Sequence, residues 1–236
     1  GKAIWKPLAA SLLVLAAVLL LGVRSIMALL GLWLAAAVGF ITLYDYGRAV
    51  LARSRRSGEN LLLALWRIGG RNRRRYGGYI IHLGVVIMAV GIIGIESFQV
   101  ETQRAVGRGE TISLGSYTVR FDDVKSFDTN DNRNVVRAEM TVFKDGREVG
   151  QIYPRRDFFY DSQQPMTIPG MYSTIEEDVY IILADWQPLT ADRATFKFYI
   201  NPLINWLWTG GLVFILGMLV AAWPSRDLEA AAEAKA

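Results

Sequence analysis

The chain has 236 residues, 52% of them hydrophobic, and a mean hydropathy of +0.24, yet it carries 26 Lys/Arg and 22 Asp/Glu. Apolar and charged residues coexist at these levels when they are segregated along the chain, which points to an integral membrane protein. There is no cysteine, which excludes a thiol nucleophile, Cys-ligated zinc and disulfides, and a single histidine excludes a His-rich metal cluster within the chain.

Residues 1–47 read as two transmembrane helices. Leu8–Val23 is short for a ~30 Å hydrocarbon core and calls for local thinning or anchoring by Trp5 and Lys6. It is not a signal-peptide core, because no small-residue cleavage site follows and a second apolar run, Ser25–Tyr44, begins at once.

Residues 48–78 read as a basic cytoplasmic loop with an interfacial helix. Between Asp45 and Gly78 lie nine arginines (Arg48, Arg53, Arg55, Arg56, Arg67, Arg71, Arg73, Arg74, Arg75) against Asp45 and Glu59, a net of +7. Short loops this basic stay in the cytoplasm, so the pI of 9.4 is a topology signal and no nucleic-acid footprint. Leu61–Ile68 (LLLALWRI) is too short to span. It is expected to lie in the interface, with Ser57 as N-cap, Glu59 in the first turn, and Trp66 and Arg67 at headgroup level.

Residues 79–95 (YIIHLGVVIMAVGIIGI) form an uncharged span carrying His82, the only strong soft-metal or haem-iron ligand in the chain. An ionisable group inside a span is a functional hypothesis by default. Two readings stand side by side: a neutral imidazole bonded to a neighbouring helix's carbonyl, or a ligand to a flat macrocycle beside Gly78, Val85, Val86 and Ala89. In the second, Arg73, Arg74, Arg75 and Tyr76 are placed to meet acidic propionates at the interface. Gly84, Gly91 and Gly94 read as small residues that let helices approach closely.

Residues 96–200 change period from helix to strand. Tyr117–Val124, Val135–Phe143, Glu148–Tyr153, Val179–Leu183 and Thr195–Ile200 are β-rich, and Asp145-Gly146 is a hairpin signal between two of them. Gln163–Gly170, with two prolines, is expected to be a loop or an irregular edge. Asp122-Asp123 and Glu176-Glu177-Asp178 read as solvated strand or loop ends, and Arg155 and Arg156 as a solvated pair. Glu96–Asn201 holds 17 acidic and 12 basic residues, a net of −5, and lies outside. Residues 201–223 span again, with Trp206 and Trp208 in the outer aromatic belt, and 224–236 form a cytoplasmic tail. The fold class expected is an integral membrane protein, mainly α-helical with about four transmembrane helices. It carries an extracytoplasmic antiparallel β domain, a small barrel or sandwich.

Four runs carry a family resemblance: NRRRYGGYIIHLGVVIMAVGI (Asn72–Ile92), PRRDFFYDSQQPMTIPG (Pro154–Gly170), DVYIILADW (Asp178–Trp186) and FYINPLINWLWTGGLVFILG (Phe198–Gly217). In this order they resemble the C-terminal portion of CcmF-type cytochrome c biogenesis proteins, the membrane haem-lyase component of a multi-subunit maturation system. The resemblance implies that His82 is one of two intramembrane axial ligands of haem b, which reduces incoming haem before its attachment to apocytochrome c. It implies a bacterial inner-membrane location with both termini cytoplasmic and the β domain in the periplasm. The implied partners are the haem chaperone CcmE, CcmH-type and CcmI-type subunits, apocytochrome c and the lipid bilayer, with no nucleic acid.

Full-length members of the family are much longer. Their tryptophan-rich periplasmic segment, its two flanking histidines and the partner intramembrane histidine lie in an N-terminal portion this sequence lacks. The second ligand is therefore expected from that portion or from a split subunit, so that the chain is part of a haem lyase complex and no complete enzyme alone. Two alternatives stay open: a haem-free scaffold presenting the β domain, and a family member dedicated to one specialised c-type cytochrome.

Overall fold

The computed structural model describes residues 4–184 and 193–223, so Asp185, Trp186 and the expected tail lie outside the described residues. The chain divides into two units, one of Gly1–Ile93 with Trp206–Ala236 and the other of Gly94–Asn205.

In the helical unit, α1 (Trp5–Leu20) ends where Gly22 takes a φ of 91°. Its 16 residues reach about 24 Å, short of a full crossing. About four spans are expected; among the described residues three helices are long and apolar enough to span: α2 (Ile26–Ser57), α4 (Arg73–Phe98) and α5 (Ile204–Ala222). α2 begins where the Ser25 hydroxyl accepts from the Ala28 N–H at 3.4 Å. It runs well past Tyr44, because the charged residues beyond that point are solvated at no cost to helix geometry. It stops at Gly58, whose φ of 68° suits a residue without Cβ.

α3 (Leu61–Arg71) follows at once. Its N-cap is Asn60, whose Oδ1 accepts from the Leu63 N–H at 2.7 Å. The expected cap, Ser57, instead closes α2, its hydroxyl donating to the Arg53 carbonyl at 2.9 Å. Glu59 precedes the helix and pairs with Arg53 at 3.1 Å and with Arg67. Ala64 and Ile68 are buried with Val50 and Tyr76, while Trp66 stays 82% exposed.

The β unit holds β1 (Val100–Gly107), β2 (Thr111–Leu114), β3 (Tyr117–Thr129), β4 (Arg133–Lys144), β5 (Arg147–Ile152), β6 (Arg155–Phe159), β7 (Gln164–Ile168), β8 (Gly170–Ser173), β9 (Glu177–Leu183) and β10 (Arg193–Pro202). One sheet runs β1-β10-β9-β8; the other runs β2-β3-β4-β6-β7, with β5 also on β4. All these pairings are antiparallel. The sheets face each other, with Phe121 of β3 against Phe196 of β10 at 5.1 Å between ring centroids. The architecture is therefore a sandwich, which settles the choice left open with a barrel.

The β3–β4 hairpin pairs Tyr117 with Lys144, and Asp145 and Gly146 turn β4 into β5 with φ of 50° and 78°. Val136, Ala138, Met140 and Val142 alternate inward along β4 and form the core with Val119, Ile181 and Phe198. β7 forms the outer edge of its sheet, where Pro165 is tolerated opposite Phe158. The stretch expected to be a loop or irregular edge is thus largely an edge strand.

Candidate functional site

α4 is the helix on which a site can be built. Its uncharged stretch is held against α5 by glycines: a Cβ on Gly84 would stand 2.5 Å from the Phe214 backbone nitrogen, and one on Gly217 would stand 2.6 Å from that of Ile81. A Cβ on Gly39 would touch Val86 at 3.4 Å, so α2 packs on a second face of α4. The close-approach role expected of Gly84 is what the helices show. Gly77, a further member of the same seam, lies against Ala221. A seven-residue glycine spacing on both helices was the available signal for it.

His82 stands away from the α5 seam. Its neighbours in sequence, Ile81 and Gly84, sit on the α5 side, whereas one helical turn back, at Gly78, an added Cβ would meet nothing within 4 Å. Val85 and Ile92 continue this open stripe, 45% and 48% exposed. The side chain of His82 is itself exposed, and among the described residues it has no hydrogen-bond or ion-pair partner. The hydrogen bond of the first reading to a neighbouring helix is therefore not made within the described chain. Beside the imidazole lie open space at Gly78 and the apolar side chains of Val85 and Ile92.

The four residues expected near the acidic edge of such a ligand are not brought together. With about 100° per residue, Arg75 falls on the His82 face two turns away, Arg74 to one side of it and Arg73 on the opposite face. Tyr76 turns elsewhere: it is buried with Val50, Ala64 and Ile68 and packs against the rings of Tyr46, tilted, and Tyr79, edge-on, at 5.3 and 5.8 Å between centroids. Among the described residues no three His, Asp or Glu side chains converge as metal ligands, so His82 is a single potential ligand.

The β unit holds a polar cluster that the sequence did not reveal. Asp157, expected among solvated neighbours, is fully buried, with its Oδ2 accepting from Arg133 Nη1 at 2.8 Å. Arg155 reaches its other oxygen at 3.4 Å, and Arg156 donates to the Ala184 carbonyl at 3.3 Å. Across the same face, Arg137 lies between the rings of Phe127 and Tyr153 at 5.8 and 5.5 Å.

Comparison with known proteins points to one family. Residues 97–202 match the CcmF C-terminal beta-sandwich. The chain is similar to the C-terminal portion of CcmF-type proteins. It is 27% identical over 154 residues to the cytochrome c-type biogenesis protein CcmF of Pseudomonas aeruginosa, covering 65% of this chain and 23% of that protein. It is equally 27% identical over 145 residues to the probable cytochrome c-type biogenesis protein NrfE of Escherichia coli, covering 61% and 26%. A solved structure of the cytochrome c heme lyase CcmF shares the fold, with a TM-score of 0.71 and 22% identity over 92% of this chain and 34% of that one. The matches thus span about a quarter to a third of the CcmF-type proteins concerned.

Proposed function

We propose that this chain is the C-terminal part of a cytochrome c haem lyase, in which His82 supplies one axial ligand to an intramembrane haem b. The observation that carries the reading is an exposed imidazole without a partner among the described residues, on an uncharged spanning helix beside the open space at Gly78. A polar ring left facing lipid is costly, so a chain that keeps one there has something for it to bind. The haem, when bound, supplies one-electron redox chemistry for reducing incoming haem. His82 contributes a nitrogen lone pair, Gly78 leaves room, and Val85 and Ile92 keep water from the ring. The second ligand comes from the N-terminal portion of the protein or a split subunit.

On this reading the basic loop faces the cytoplasm of the bacterial inner membrane and the β unit faces the periplasm, as the +7 and −5 charge balances favour. The β unit serves as a docking module for CcmE, CcmH-type and CcmI-type subunits or apocytochrome c, and Arg137 between two exposed aromatic rings is a surface suited to that role. A direct test is chemical rescue. In His82→Gly, assembled with the N-terminal portion, haem retention falls and is restored by added imidazole; retention unchanged in the variant would refute the ligand role. The equal identity to CcmF and NrfE sequences keeps a dedicated role in one c-type cytochrome as a second reading. The set of cytochromes lost on deletion separates the two.

A further inference from the structure

We propose that a cleft at the basic end of α2 and α4 binds the acidic headgroup of a phospholipid. Its volume is about 530 Å³, and its wall brings three arginines, Arg48, Arg55 and Arg75, against one carboxylate, Asp45, over the apolar Leu51 and Ala52. The uncharged run of α2 stops at Tyr44, so the cleft begins where hydrocarbon gives way to headgroups.

Two features set these arginines apart from Arg53 and Arg67. They are not neutralised: Arg53 and Arg67 both pair with Glu59, whereas Arg48, Arg55 and Arg75 form no ion pair among the described residues. Two of them are also braced by aromatic rings. The Arg48 guanidinium lies 5.6 Å from the centre of the Tyr44 ring. Arg75 lies 5.9 Å from that of Tyr79 and donates through Nε to the Tyr79 hydroxyl at 3.3 Å. Planar guanidinium groups held in advance, three of them against a single carboxylate, suit a phosphate, which accepts paired N–H bonds. Leu51 and Ala52, both exposed, add an apolar strip to the wall of the cleft.

The shape of the cleft favours a lipid over the acidic edge of a group held by His82. Tyr46 packs, tilted, against Tyr76 and Tyr79, which sets the level of α2 against α4. Arg55 lies nine residues beyond Tyr46, about 13 Å further along the helix and away from His82. The proposal stands whether or not His82 binds haem.

The test is native mass spectrometry of the chain assembled with its N-terminal portion, equilibrated in detergent with phosphatidylglycerol or phosphatidylcholine. Wild type is expected to retain phosphatidylglycerol preferentially, the preference falling with added salt. It drops by roughly fivefold for each arginine lost in the Arg48→Gln/Arg75→Gln double variant. Arg53→Gln, outside the cleft, keeps it. Equal retention of the two lipids, or a preference insensitive to salt, overturns the proposal without any variant having to fold. A double variant that holds phosphatidylglycerol like wild type overturns it too. If that variant also loses a His82-dependent haem spectrum, the cleft belongs to the haem carboxylates.

Discussion

Gly84 of α4 and Gly210 of α5 meet backbone to backbone: a Cβ on Gly84 would stand 2.8 Å from the Gly210 carbonyl oxygen, and one on Gly210 would stand 2.7 Å from that of Gly84. One heptad along each helix, Gly77 lies against Ala221 and Gly217 against Ile81. Small residues at this spacing keep the two helices on one seam, where close packing replaces the hydrophobic drive that lipid removes.

Gly84→Leu is therefore expected to separate α4 from α5 and cost about 1–3 kcal/mol or more, read as a lower midpoint of unfolding in mixed detergent. Gly78→Ala is the control: with nothing within 4 Å of the new Cβ and a better helix former installed, stability holds or increases slightly. Equal losses in both variants would show that the seam is not what holds the pair.

In the β unit, Arg133→Gln leaves the fully buried Asp157 with Arg155 alone, at 3.4 Å. Removing one member of a buried pair strands the other's charge, so a loss of about 3 kcal/mol is expected. Faster hydrogen exchange along β4 and β6 would report it, with β10 less affected.

Burial raises the Asp178 carboxyl above its ordinary range, opposed by hydrogen bonds from Ser173 and from Asn205 Nδ2, the latter at 3.0 Å. The folded state then holds a proton that the unfolded chain has released. The associated stability is complete below the ordinary aspartate range and is lost as pH rises through the raised folded value. Asp178→Asn should remove this decline, so that stability relative to wild type improves from pH 4 toward neutrality in pH-resolved thermal melts. A difference that is flat with pH would contradict the assignment.

At the start of α3, Asn60→Ala removes the acceptor of the Leu63 N–H and is expected to cost about 1 kcal/mol. Ser57→Ala removes only an exposed bond to the Arg53 carbonyl and should be nearly neutral. Local exchange rates in α3 distinguish the two caps.

What could be read before the fold was known follows the range of the interactions. Long apolar runs announce α2, α4 and α5 because burial in lipid is a local property of composition, and Asp145-Gly146 announces its hairpin because a positive φ is a local demand. β6 was hidden because Arg155-Arg156-Asp157 looks solvated in sequence. Asp157 is buried only because Arg133, on the adjacent strand, neutralises it. β7 was hidden by Pro165, which an edge position accepts. At the candidate site His82 was legible as a costly residue in a span. The direction it faces, and the turning of Tyr76 into the contact with α2 and α3, depend on helix packing that no local pattern records.

The measurement that bears most directly on the account is a reduced-minus-oxidised optical spectrum of the chain purified with its N-terminal portion, His82→Ala beside wild type. A bis-imidazole b-type spectrum is expected in wild type and disappears in the variant while the assembly still purifies intact. The same spectrum in both samples, or none in wild type, would contradict the ligand role and leave the chain as a haem-free scaffold for its β unit.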